Sequence, residues 1–414
     1  MTVTTNHEEA AKSLQISVED LDVSEMVSKI FDHCVTLQVS DVFFSSEETH
    51  VAVRVRHWGL LRLVTMMPLD DGRRCIAHIK ALSGMETAER RRPLDGRWIY
   101  DRDASTVDLR VNSIPTLYGE DLTIRLLPRD TGLLKLDSIG LVRGDYNQMV
   151  GLLSKPGGLV LVTGPTGSGK TTTLYACLAY LNTGERKINT IEDPIEYAMV
   201  NVRQSQVNPR IDLGFPELLV SVMRQSPDVI MIGEIRDPAT ADTAVRAANS
   251  GHLVLGTLHA PTAAGAIQSM LSLGVHPHFL GSSLQGVIGQ RLVRTLCPKC
   301  KKSFELDEAL PTFDEVRRWL EPGEGKVLYG PTGCPDCRMQ GYSGRTGVFE
   351  VMVMTRGLRQ MILNKQPTEV LRQKSVDEGM VEFRQAALLK VARGETSIEE
   401  VFRTVPSEYL SVVI

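Results

Sequence analysis

Between residues 51 and 65 the chain alternates apolar and polar positions with a period near two. Val51, Val53 and Val55 are separated by Ala52, Arg54 and Arg56, and residues 60–65 resume the pattern after Trp58-Gly59. That spacing predicts a β-hairpin with one wet face. Residues 106–112 and 122–127 repeat the strand signal beside a helix-like segment, so the stretch 23–129 reads as a separate α+β module behind a polar tail, 1–22. Residues 128–156 are broken by Gly132, Gly140 and Gly144, and the linker is placed at their start. From Gly158 the period changes: apolar runs at 159–163, 187–191, 229–232 and 252–258 alternate with helical stretches. That order predicts a parallel sheet covered by helices, in a second domain spanning 130–414. Within it, 297–337 form a charged insertion rich in Gly and Pro, and 345–414 are expected to be helical, with a capping box at Thr396-Ser397-Ile398-Glu399 opening a late helix.

A chain of 414 residues exceeds one compact core, which agrees with several modules. The net charge of −4 supplies no global basic field, so charge alone draws the protein neither to nucleic acid nor to anionic lipid. Residues 1–20 carry acids without the basic start and apolar core of a secretory leader, and no run approaches the roughly 20 apolar residues of a membrane-spanning helix. The sequence therefore reads as cytosolic, with any membrane role reached through a partner. In that setting paired cysteines suggest metal rather than disulfides, while Cys34, Cys75 and Cys177 sit singly in apolar or helical contexts.

The run at 159–163 leads directly into Gly164-Pro165-Thr166-Gly167-Ser168-Gly169-Lys170-Thr171, followed by a helix-compatible stretch from Thr172. Strand, glycine-rich turn and helix in that order are the context a P-loop requires. Glycine lets the backbone wrap closely around phosphate oxygens with its N–H groups turned inward. Lys170 would reach the β and γ phosphates of ATP, Thr171 would ligate Mg²⁺, and the helix N-terminus adds its positive end. Asp228-Val229-Ile230-Met231-Ile232-Gly233-Glu234 is an apolar strand ending in an acid, which places Glu234 where it can orient the attacking water or, through water, the Mg²⁺. Glu192-Asp193-Pro194-Ile195-Glu196 follows another strand to the same carboxyl edge, so either Glu196 or Glu234 is a candidate general base. His252 and His259 bracket a strand, and His259 is either structural or a sensor of the γ phosphate. Cys297-Pro298-Lys299-Cys300 and Cys334-Pro335-Asp336-Cys337 offer four thiolates in two pairs, which suit a closed, structural Zn²⁺ site better than a redox dithiol.

Together these residues resemble the secretion ATPases of the type II secretion and type IV pilus assembly family, from about Asp41 to Val405. Glu192 to Tyr197 looks like the family's Asp box, Met231 to Asp237 like its Walker B element, and Gly251-His252-Leu253 with Thr257-Leu258-His259 like its His box. The resemblance implies a RecA-like P-loop ATPase domain, a smaller PAS-like N-terminal domain and a zinc-binding insertion of the assembly and secretion branch. It also implies that Arg110 and Arg125, in Asp108-Leu109-Arg110-Val111 and Ile124-Arg125-Leu126-Leu127, approach the nucleotide as charge-stabilising groups; by themselves they read as the solvated face of a sheet. It further implies a homo-hexamer at the inner face of the plasma membrane, working with an inner-membrane platform protein and anchor proteins to assemble a pseudopilus or pilus.

The chain departs from that family at Ala260-Pro261-Thr262, at Ser40-Asp41-Val42-Phe43, at Ser226 and at Val220, and it lacks the extra N-terminal module of many members. Those departures keep a second reading open, a regulatory subunit that binds ATP without turning it over. A nucleic-acid motor on the same core is disfavoured by the 5% aromatic content and the absence of a basic stripe with interleaved aromatics.

Overall fold

The computed structural model describes residues 14–102, 105–128, 134–305 and 313–405. The tail before Leu14 and the start of the linker at 129–133 lie outside the described residues. The chain divides into two compact units. One comprises 1–132 with 297–302 and 331–344; the other comprises 133–296, 303–330 and 345–414.

In the first unit α1 (Val23–Thr36) is opened by a reciprocal cap between Asp22 and Glu25. The chain then forms β1 (Asp41–Ser46), β2 (His50–His57) and β3 (Leu60–Pro68), followed by α2 (Leu69–Leu82), β4 (Leu94–Arg102), β5 (Ser105–Thr116) and β6 (Gly119–Pro128). The six strands make one sheet in the order β3-β2-β1-β6-β5-β4. The expected hairpin is present: Trp58 and Gly59 both take positive φ, which is the backbone a tight two-residue hairpin turn demands. Val51, Val53 and Val55 are buried with Ile30, Phe31, Ile76 and Ile79 of the two helices, so the alternation in sequence is the alternation of a sheet with one face on a core. The other face is less wet than expected, because Ala52 is also buried.

The second unit holds α3 (Arg143–Leu153), β7 (Gly158–Thr163), α4 (Lys170–Leu181), β8 (Ile188–Glu192), β9 (Val202–Gln206) and α5 (Phe215–Met223). It continues with β10 (Val229–Ile232), α6 (Pro238–Asn249), β11 (Leu253–Leu258), α7 (Ala263–Ser272), α8 (Pro277–Ser283) and β12 (Leu284–Leu296). The insertion forms β13 (Lys302–Glu305) and β14 (Val327–Gly330), and β15 (Tyr342–Val353) leads to α9 (Arg356–Leu363), α10 (Thr368–Asp377), α11 (Phe383–Ala392) and α12 (Ile398–Thr404). The main sheet runs β15-β12-β7-β11-β10-β8-β9, and the pairs from β12 to β9 are parallel. β7, β8, β10 and β11 are buried along their whole length, which is why they read as continuous apolar runs.

Two expectations need correction. The stretch after Arg345 is not helical from its start: Val348, Phe349, Val351 and Met352 belong to β15, buried in cores on both faces of the sheet. A short apolar run fits a buried strand as well as a buried helix, and the β-branched residues here decide for the strand. The cap of α12 is one residue later than expected. Ser397 accepts from Glu400 N, while the Glu400 carboxylate is taken by Arg294 and Arg403.

β15 also carries Glu350, a fully buried carboxyl that accepts from the first N–H of α7 (Ala263, 3.1 Å) and of α11 (Phe383, 3.3 Å). Burial pushes its pKa up to about 7; the two N–H donors and Arg291 oppose the shift, and Glu382 adds to it. A folded-state pKa above the unfolded value stabilises the fold below the unfolded pKa, and that contribution is lost as pH rises through about 7. Glu350→Gln should therefore gain stability relative to the parent between pH 5 and pH 7.5, by up to about 3 kcal/mol, read from unfolding midpoints at the two pH values. A difference between the two proteins that does not change with pH would contradict the assignment.

Candidate functional site

β7 ends at Thr163, and the next residues close into a loop whose shape is set by three glycines. Gly164, Gly167 and Gly169 all take positive φ, and Gly169 is the N-cap of α4. At Gly164 a Cβ would lie 2.3 Å from the Gln290 carbonyl oxygen, so glycine is required both by conformation and by the close approach of β12. Gln290 continues the support: its side-chain oxygen accepts from Thr173 Oγ1 at 2.7 Å on the first turn of α4. Pro165, Thr166 and Gly167 are exposed at the loop's crest, Thr171 is exposed at the helix start, and Thr172 is half-buried. Ser168 Oγ is buried without a hydrogen-bond partner. An orphaned hydroxyl in a glycine-shaped loop at a helix N-terminus is a donor that a phosphate oxygen could satisfy.

Lys170 is 9% exposed, and its ammonium donates to the carbonyl oxygens of Gly164 (2.8 Å) and Pro165 (3.1 Å). Burial lowers its pKa, and the charge of Glu234 opposes that shift. His259, just beyond β11, lies 3.5 Å from Lys170 Nζ through Nδ1 and 2.7 Å from Glu234 Oε1 through Nε2. The other Glu234 oxygen accepts from Arg236. Burial works against the charge on Glu234, yet the Arg236 hydrogen bond, the electrostatic influence of His259 and the charge of Arg236 outweigh it and hold the carboxyl below its ordinary range. The structure thus brings Lys170, Glu234 and His259 into one linked group, with Arg236 as a member that sequence reasoning missed. The altered residues after His259 are built into the same frame: Thr163 Oγ1 donates to Ala260 O at 2.8 Å and accepts from Ala260 N at 2.9 Å, and Thr262 caps α7.

The acidic loop after β8 divides its carboxylates between two settings. Glu192 is buried and accepts from the Tyr175 hydroxyl, from Thr190 Oγ1 (2.5 Å) and from Gln204 Nε2 (3.0 Å). Burial first, and then Glu192, push the Tyr175 phenol far above its ordinary pKa. Glu192 is thus committed to holding α4, β8 and β9 together. Glu196 lies four residues on, past a cis Asp193–Pro194 bond, half-buried beside Tyr175, whose oxygen accepts from Glu196 N at 3.4 Å. No signal in the sequence distinguishes Glu192, the anchoring acid, from Glu196. Of the two histidines, His252 is placed away from this group, with Nδ1 3.0 Å from Ala247 O.

In the N-terminal unit, Arg110 and Arg125 stand directly opposite each other on β5 and β6. Continuing across the sheet in the same register, Arg110 faces Arg97 of β4, Arg125 faces Asp41 of β1, and Asp41 faces Arg56 of β2. The outer face therefore carries a row of four arginines with one aspartate. Like charges placed opposite one another repel, and the row is held by Asp41, 3.2 Å from Arg125 and 3.7 Å from Arg56, and by Asp108, whose two oxygens accept from two of the Arg97 nitrogens. Arg97 and Arg125 keep more than half of their side chains in solvent, so the row can receive a further anion.

The four cysteines Cys297, Cys300, Cys334 and Cys337 bring their sulfurs within 4.8 Å of one another. Recorded separations are 3.9 Å for Cys297–Cys334 and 3.7 Å for both Cys300–Cys337 and Cys334–Cys337. A tetrahedron with bonds of about 2.3 Å to sulfur has edges of roughly 3.8 Å, so the donor set fits zinc. Backbone N–H groups of Cys334 and Gly341 donate to Cys337 Sγ, each at 3.2 Å, as outer partners that favour the thiolate. Although inserted between β12 and β15, these knuckles group with the N-terminal unit, where Gln340 meets His57 at 2.8 Å and Arg338 reaches Thr36 O at 3.4 Å.

Comparison with known proteins follows the same lines. The family described as "Type II/IV secretion system protein" matches residues 17–403. The chain is 39% identical over 388 residues to the type II secretion system ATPase E of Vibrio cholerae, covering 94% of this chain and 76% of that one. It is 38% identical over 390 residues to the type II secretion system protein E of Pseudomonas aeruginosa, covering 94% and 77%. Among solved structures it is similar to the Legionella pneumophila ATPase DotB, with a TM-score of 0.68 over 94% of this chain and 97% of that one; at 21% identity this likeness concerns the RecA-like fold.

The cysteine geometry predicts about one equivalent of zinc per purified chain, measured by elemental analysis, with most of it lost in Cys334→Ser. Full metal content in that variant would show that the four sulfurs do not act as one site.

Proposed function

The chain belongs to the type II/IV secretion system protein family, and from that premise we propose that it hydrolyses ATP to power a secretion or pilus machine. The observation that carries the reading is the linkage Lys170–His259–Glu234 at the mouth of the phosphate loop. In this reading residues 164–172 hold the phosphates, with Lys170 leaving the Gly164 and Pro165 carbonyls for the β and γ oxygens. Thr171 would hold Mg²⁺, which would supply charge neutralisation at the phosphates. Glu234 orients the attacking water and takes its proton. Its carboxyl stays ionised because Arg236 and His259 hold it so, and the geometry favours it over Glu196 as the base. His259 touches both the lysine and the acid, and so registers whether the γ phosphate is present.

Arg110 and Arg125 serve as charge-stabilising groups brought to the nucleotide by the N-terminal unit; their outward-facing row supports this role. The working form is a homo-hexamer at the inner face of the plasma membrane, assembling a pseudopilus or pilus through a platform protein and anchor proteins. Among the described residues no helix is long and apolar enough to cross a membrane, which fits attachment through partners. Zinc in the tetracysteine knuckle is structural, since four thiolates leave no open position for chemistry.

Phosphate release measured over a range of protein concentrations tests the proposal. Specific activity should rise with concentration, as an oligomer requires. It should fall at least a hundredfold, in order of magnitude, in Glu234→Gln, and be lost in Lys170→Ala. Arg110→Ala and Arg125→Ala should each lower turnover by at least about tenfold with ATP binding retained. Tight ATP binding with no turnover in the parent protein would overturn the motor reading in favour of a regulatory subunit.

A further inference from the structure

Asn189 is out of place in β8. Asparagine is a poor strand former, and this one is 6% exposed on β8, between β10 and the edge strand β9, with its side-chain oxygen lacking any hydrogen-bond partner. Burying an amide unsatisfied costs free energy that a Val or Ile would not, so the position is expensive unless something pairs with it. The residue lines a cavity of about 390 Å³ shared by Lys187, Arg203, Ser205, Ser221 and Gln225, with Leu218 and Val222 as its apolar wall. The cavity is lined by α5, by the start of β8 with Lys187 before it, and by β9, whereas the phosphate loop and Glu234 follow the carboxyl ends of their strands. It is therefore a separate place on the same domain.

The polar groups around it are largely uncommitted. Lys187 donates to the Gln225 carbonyl oxygen, but the Arg203 guanidinium and the Ser205 and Ser221 hydroxyls have no partner among the described residues. None of the lining residues is an acid. A planar guanidinium, an ammonium and two hydroxyls above a buried amide form a donor set for an oxyanion, with the amide left over to read a second hydrogen-bonding group. The volume lies in the range of small-molecule sites and is more than one inserted carboxylate side chain fills.

We infer that this cavity binds a small phosphate ester, its phosphate on Arg203 and Lys187 with the two serines, and a hydroxyl or amino group of the same molecule on Asn189. The site is independent of the ATP reading, since none of its residues belongs to the phosphate loop or the Glu234 group.

Isothermal titration calorimetry on the full chain, with the phosphate loop filled by saturating Mg·ADP, tests it using AMP, glucose 6-phosphate and inorganic phosphate as probes. At least one ester should bind saturably and more tightly than inorganic phosphate. Its affinity should fall by about tenfold or more in Arg203→Gln, a surface change, and in Asn189→Leu, with Mg·ADP affinity unchanged as the check on folding. No saturable binding of any probe up to about 10 mM, or binding unaltered in both variants, would overturn the inference. An acidic peptide that binds at Arg203 where both esters fail would overturn it in favour of a protein partner.

Discussion

Parallel register is the constraint from which the nucleotide site follows. β7, β11, β10 and β8 are paired so that Thr163 is level with Leu258, while Ile232 is level with Gly256 and with Ile191. All of them run the same way, so the residues that follow each strand emerge at one edge: the phosphate loop from β7, His259 from β11, Glu234 from β10 and the acidic loop from β8. Four separate stretches of sequence meet there because the backbone ladder admits no other height. A slip of one residue in any strand would also exchange its two buried faces, and both faces are packed with apolar side chains, so the register is fixed by the cores on either side.

What was legible in the sequence was what lies in continuous stretches. Residues 164–171 declare themselves because the glycines, the lysine and the helix start act on one ligand from consecutive positions. Glu234 was found because an acid ends an apolar run, and the cysteine pairs because each spans a single turn. The sequence hid what depends on pairing across strands. Arg97 and Arg56 join Arg110 and Arg125 only through the ladder, and Arg236 meets Glu234 only because the chain turns after β10. The distinction between Glu192 and Glu196 rests on Tyr175, Thr190 and Gln204, drawn from α4, β8 and β9. Asn189 was passed over for a simpler reason: in a run of Ile188, Thr190 and Ile191 one polar residue does not break a strand pattern.

The electrostatics of the two units differ in kind. In the ATPase unit Lys170, His259, Glu234 and Arg236 form a linked polar chain in partial burial, in which Arg236 and Glu234 each favour the other's charged form. On the N-terminal sheet the arginine row lies mostly in solvent, where screening weakens both the repulsion along it and the pairs that relieve it. The first arrangement fixes geometry before ligand arrives; the second keeps charge available at modest cost in stability.

The placement of the cysteine knuckles bears on how such a protein changes over time. The polypeptide passes from one unit to the other after residues 132, 296, 302, 330 and 344, instead of once at a linker. A gene exchange that replaced the first 130 codons with those of a relative would bring in a new surface without the Gln340 and Arg338 that meet it, since both are encoded far downstream. The first unit is thus encoded in separated stretches of the gene, and it is inherited whole only when those stretches travel together.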